Sequence, residues 1–234
     1  MRGWGLALIL SLAPLLAAAE AEEGRKMLGA HEQAEWSGVG RLNFGDAFCT
    51  GALVAPDLVV TAAHCLFARR TGAERRPERT HFVAGYRLRK FLAHRKASRF
   101  TIHPDYRFVS AAGADEIAVD LALVRLGAPI TETAPFGLAP GLAVGDGVSI
   151  LSYGRDRPEI PSIQSGCGVT ARFGAVAVLA CDVTYGVSGA PVFREVDGEL
   201  KIVAVVSAMG DFRGRPHAFA VMLDAALAPL LSAP

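Results

Sequence analysis

A dozen short apolar runs, each broken off by Gly, Pro or Asp, constrain this chain more than any other feature: 39–44, 48–54, 58–60, 81–85, 98–102, 121–126, 147–153, 164–173, 176–181, 191–194, 200–208 and 218–222. They are too short for long helices and are rich in Val, Ile, Leu and aromatic residues, so they predict strands of an all-β barrel or sandwich. Helical signal is confined to 224–231, a short C-terminal helix interrupted by Pro229. The stretch 127–141, with Pro129, Pro135 and Pro140, reads as a connector between halves of similar length.

The 234 residues are 51% hydrophobic and 20% charged, enough to bury a large core. Residues 1–21 have the layout of an export signal: Arg2, an apolar stretch from Leu6 to Leu16, then small residues from Ala17 to Ala21 around Glu20. No later segment reaches the roughly 18 apolar residues of a membrane span, so a secreted or periplasmic protein without a transmembrane segment is expected. Four cysteines suit an oxidising compartment and permit three pairings. Cys49 with Cys65 and Cys167 with Cys181 is the favoured set, because each pair brackets neighbouring strands. There is no Cys-x-x-Cys and no His-Glu-x-x-His, so neither metal nor cofactor is expected.

Charge is unevenly placed. Residues 66–107 hold twelve Lys or Arg against Glu74, Glu78 and Asp105, in a chain whose formal net charge is only +1. Such polarity can steer an anionic surface or polymer, or simply form a solvated loop; no nucleic acid is expected.

Three blocks carry chemistry. His64 lies in Thr61-Ala62-Ala63-His64-Cys65, Asp120 begins the apolar run Asp120-Leu121-Ala122-Leu123, and Ser188 lies in Gly186-Val187-Ser188-Gly189-Ala190-Pro191. An aspartate entering an apolar strand is partly buried and needs a partner. A weakly acidic serine becomes a nucleophile when an imidazole takes its proton and a carboxylate holds that imidazole. Glycines around Ser188 allow a tight turn in which the N–H groups of Gly186 and Ser188 point at one spot, as an oxyanion hole requires. Singly, each block has an ordinary structural explanation; together, in the order His, Asp, Ser, they point to acyl transfer.

These blocks resemble the signature segments of the chymotrypsin-like serine proteases. Cys49-Thr50-Gly51-Ala52-Leu53, Ile102-His103-Pro104 and Val205-Val206-Ser207 add to a likeness that runs from about Val39 to Leu231. The resemblance implies two antiparallel six-stranded β-barrels with the active site in the cleft between them. On the chain this maps to an N-terminal segment at 22–38, a first barrel at 39–128, a connector at 129–140, and a second barrel with the C-terminal helix at 141–234. It also implies His64 as general base, Asp120 as its orienter, Ser188 as nucleophile, and Gly186 and Ser188 amides as oxyanion donors. Ser207 matches the serine beside the triad aspartate that also aligns substrate, and family precedent supports Cys49 with Cys65. The implied activity is a secreted endopeptidase acting on proteins or peptides through an acyl-enzyme.

Departures from the pattern matter too. Members switched on by N-terminal trimming carry an aspartate before the nucleophile; here Val187 stands there, so that ion pair cannot form, as in bacterial relatives such as glutamyl endopeptidases. Arg25-Lys26-Met27-Leu28-Gly29 nonetheless resembles a processing site. Asp182, six residues before Ser188, matches the acid of trypsin-like pockets and suggests a preference for basic residues. Against it stand the absence of the pocket-closing cysteine pair and His217 where a glycine is usual; Thr184 and His217 are further substrate-binding candidates. An inactive relative that binds partners through 66–107 is the alternative. An α/β-hydrolase is excluded, because its acid and histidine follow the serine and too little chain remains.

Overall fold

The first half of the chain curls into a closed ring because its strands are short, twisted and apolar on one face. The computed structural model describes residues 24–231; the expected export signal at 1–21 lies outside them. The first half supplies β1 (Lys26–Met27), β2 (Val39–Asn43), β3 (Phe48–Ala55), β4 (Leu58–Thr61), β5 (His81–Ala84), β6 (Ala93–Ile102) and β7 (Ala122–Leu126). The second supplies β8 (Gly137–Leu138), β9 (Gly147–Gly154), β10 (Arg157–Phe173), β11 (Val176–Leu179), β12 (Pro191–Val196), β13 (Glu199–Phe212) and β14 (Arg215–Met222).

Strands pair in the order β2-β3-β4-β7-β6-β5, and β2 meets β5 to close the six-stranded barrel. Its interior is filled by Leu42, Leu53, Val59, Phe82 and Val124, all fully buried. Closure brings β2 so near β5 that a Cβ on Gly40 would lie 2.6 Å from the Phe82 ring. In the second half β9, β10, β11, β14, β13 and β12 form another ring, because the 17-residue β10 pairs with β11 along one part and β9 along another. Val148, Val192, Val203, Ala204 and Ala220 pack inside it.

Trp36 of the N-terminal segment, Phe136 of the connector and Phe193 of β12 pack on one another with ring centroids 4.8–6.3 Å apart. Aromatic edges meeting faces give such a joint energy beyond its buried area. Both disulfides stay within one half: Cys49–Cys65 ties β3 to the turn after β4, and Cys167–Cys181 ties β10 to the segment after β11. No helix among the described residues is long and apolar enough to cross a membrane.

Several boundaries differ from expectation for identifiable reasons. β10 starts at Arg157 rather than 164 because Pro158 and Pro161 fall where its register with β9 shifts, a place where a missing N–H is tolerated. The expected single C-terminal helix is two separate turns, Leu223–Ala226 and Ala228–Leu231, since Pro229 cannot continue a helix begun before it. β1 falls in the N-terminal segment 22–38, for which no strand is expected: two residues carry no periodicity, and Lys26 and Met27 become a strand only by pairing with Ser162 and Ile163 of β10.

Candidate active site

β4 delivers the chain to a 3-10 turn, Ala63–Leu66, whose second residue is His64. The disulfide from Cys65 to Cys49 fixes this turn against β3. Asp120 enters β7 after a five-residue helix, Ala114–Ala118, and grips His64 twice: Oδ1 accepts the His64 backbone N–H at 2.8 Å, and Oδ2 faces Nδ1 at 2.7 Å. An ionised carboxylate only accepts, so Nδ1 holds the proton and the Nε2 lone pair is left for another partner. The Ser207 hydroxyl donates to Asp120 Oδ2 at 2.5 Å, closing the carboxylate's remaining side.

Burial pushes the Asp120 pKa up, but the His64 charge and the bonds from His64 and Ser207 outweigh it, and the carboxyl stays below its ordinary range. For His64, burial works against the cation; the Asp120 charge and hydrogen bond prevail over that and over the Arg69 cation, and its pKa lies above the ordinary histidine value. The Tyr106 hydroxyl is pushed above its usual pKa by burial and then by the Asp120 charge, so it stays protonated beside the carboxylate.

Ser188 sits in a turn that only glycine can build. Gly186 (φ +94°) and Gly189 (φ +79°) occupy the left-handed region. A Cβ on Gly186 would approach the Phe48 ring to 2.6 Å, and one on Gly189 would collide with Thr61 Oγ1 at 2.1 Å and Thr50 O at 2.3 Å. The fully buried Thr50 of β3 holds this turn from the other barrel. Its N–H donates to Ser188 O at 2.9 Å and its hydroxyl to Gly186 O at 3.0 Å, while Oγ1 accepts the Tyr153 N–H at 3.0 Å. Val187 is buried in the second core, where no ion pair is needed to seat it. Among the described residues, the N–H groups of Gly186 and Ser188 donate to no protein acceptor.

His64, Asp120, Ser188, Gly186, Thr184 and Ser207 all line one cavity of about 360 Å³. Among the described residues no hydrogen bond joins Ser188 Oγ to His64 Nε2; such contacts commonly tighten only around substrate. Cys49, Cys65 and His64 cluster tightly, but both sulfurs are spent in the disulfide and offer no thiolate to a metal.

Two expected pocket residues lie elsewhere. Asp182 points its carboxylate at Arg25 (3.5 Å), which also binds Asp156 at 2.9 Å, and it is not part of the cavity wall. His217 is buried in β14 with Nδ1 facing Arg215 O at 3.0 Å and its ring against Phe212. Thr50, Arg69, Arg155 and Tyr185 were not foreseen. Their importance comes from contacts across the cleft, which no local pattern announces. Of the basic segment, Arg75, Arg76 and Arg95 are paired with Asp46, Glu78 and Glu132.

Two β-rings meeting at a cleft define the chymotrypsin-like class. The family model for the trypsin-like peptidase domain matches residues 49–205, and the chain belongs to that family. It is similar to brachyurin of Leptuca pugilator, 28% identical over an alignment 153 residues long that covers 60% of this chain and 59% of that protein. The aligned part thus spans about three fifths of the curated relative's length. A solved structure of Glu endopeptidase in complex with MPD superposes with a TM-score of 0.75 at 19% identity, covering 89% of this chain and 95% of that one, a likeness of fold.

Proposed function

We propose that the protein is a serine endopeptidase in which Ser188 is the nucleophile, His64 the general base and Asp120 its orienter. The observation that carries this is the double grip of Asp120 on His64, which fixes the neutral ring as its Nδ1–H tautomer and leaves Nε2 as the proton acceptor in the cavity that Ser188 shares. Ser188 Oγ attacks the scissile carbonyl as its proton passes to His64 Nε2, and the carbonyl oxygen becomes an anion. The free N–H groups of Gly186 and Ser188 are the candidate donors to it. Collapse expels the amine, which takes the proton from His64 and leaves an ester on Ser188. Water, deprotonated by the same imidazole, then attacks the ester and restores the hydroxyl.

Fluorophosphonate labelling tests the assignment. Adduct on Ser188, absent from Ser188→Ala, is expected; a folded protein that takes no label would instead be the inactive binding relative. Basic preference is set aside, because the Asp182 carboxylate is engaged by Arg25 and is not part of the cavity wall, to which the second half contributes the uncharged Val183, Thr184, Val206, Ala208 and Met209. An uncharged primary side chain fits that wall, and ester substrates carrying Arg, Leu or Glu would rank accordingly. Both disulfides and the leader at 1–21 support export; a mature N-terminus after Ala21 in a cell-free fraction would agree with it.

A further inference from the structure

Tyr185, the neighbour of Gly186, is 46% exposed at the rim of the cavity that holds Ser188. The Arg69 guanidinium lies 5.4 Å from its ring centroid and that of Arg155 lies 4.9 Å away. Arg69 comes from the loop that follows His64 in the first barrel, whereas Arg155 sits between β9 and β10 of the second, so the two cations converge from opposite walls. The Arg155 backbone N–H also donates to Tyr185 O at 2.6 Å, which holds the main chains of the two residues together.

The other arginine of the cavity is already occupied: Arg75 binds Asp46 at 2.7 Å and rests on Phe44. Arg69 and Arg155 have no carboxylate partner among the described residues. The cavity's own acids cannot serve, since Asp120 is held by His64 and Ser207, and Glu116 accepts the Gly113 N–H at 2.8 Å. Two guanidiniums gathered on one ring repel each other until an anion sits between them, and a carboxylate is well matched to their planar donors.

We infer that Arg69, Arg155 and Tyr185 form a subsite for an acidic side chain of the substrate, on the leaving-group side of the scissile bond. The side follows from chemistry: the proton on His64 goes to the departing amine, so the departing strand runs past His64 toward the loop that carries Arg69. This rests on Ser188 being the nucleophile.

The test uses the full-length mature protein and quenched-fluorescence peptides that differ only in Glu or Gln at each of the first three leaving-side positions. At one position Glu should raise kcat/KM roughly 5- to 20-fold over Gln, as two exposed charge-assisted contacts would. The ratio should shrink as salt rises and fall to about one in Arg69→Gln/Arg155→Gln. The charge reversal Arg155→Glu should favour Lys over Gln at that position. Because each readout is a ratio within one enzyme, changes in overall turnover do not enter it. A parent that takes the fluorophosphonate label and cleaves Glu and Gln peptides equally overturns the subsite alone, as does a preference that survives the double substitution. No label and no cleavage overturns both readings.

Discussion

Thr50→Val removes one hydroxyl and almost no volume, yet should be among the most damaging changes at a residue outside the reacting groups themselves. In the wild type the hydroxyl donates to Gly186 O and accepts the Tyr153 N–H, each at 3.0 Å, in a fully buried position. Valine leaves both backbone groups without that partner. A buried orphan costs about 1–3 kcal/mol, so the pair costs about 2–6 kcal/mol. For a chain of this size that is a fall in Tm of about 5–20 °C. Catalysis should suffer separately, because the carbonyl of Gly186 belongs to the peptide that links it to Val187, at the heart of the proposed oxyanion site. Losing one such donor altogether costs about 10²–10³ in kcat, and a donor left loose should cost at least roughly 10-fold, with KM little changed. Thermal melting and burst kinetics with an activated ester measure the two effects, and Thr50→Ser should restore most of both. If Thr50→Val melts within about 2 °C of the parent and keeps its kcat within a factor of two, the turn is held by something other than this hydroxyl.

Further predictions concern the same cleft. Asp120→Asn should lower kcat by about 10⁴ with the fold retained, because the amide no longer fixes the Nδ1–H tautomer of His64. The acid limb of kcat/KM should lie above the ordinary histidine range: activity is lost as pH falls and Nε2 takes a proton, and the Asp120 charge favours that cation despite burial. Arg69→Gln should move the limb to still higher pH, since the Arg69 charge opposes protonation of His64; a limb that stays or moves down would contradict the assigned electrostatics. Gly189→Ala should prevent stable folding, as its Cβ would meet Thr50 O at 2.3 Å in a left-handed conformation; circular dichroism and gel filtration would report it.

The strands were legible because their apolar faces recur along short runs, and the three chemical blocks because each requires particular residue types side by side. What escaped was set by geometry between distant segments. Asp182 has the spacing of a pocket acid, but spacing does not say where a carboxylate points, and Arg25, far off in sequence, decides it. The same holds for His217, which β14 buries beside Phe212. Thr50 looks like any strand threonine until Gly186 and Tyr153, more than a hundred residues away, come to rest on its hydroxyl. The strand expected from residue 164 begins at Arg157 instead, because a bulged ladder accommodates Pro158 and Pro161 within β10.

Because each disulfide closes within its own half, no covalent staple spans the cleft. A single cut in the connector would leave two fragments clasped by the aromatic trio, by Thr50, and by β1 lying on β10. Such a nicked molecule would run at full size under native conditions and fall into two bands in denaturant even without a reductant. The architecture is therefore suited to fragment complementation: two separately expressed halves, each inert, could find one another and assemble a working cleft.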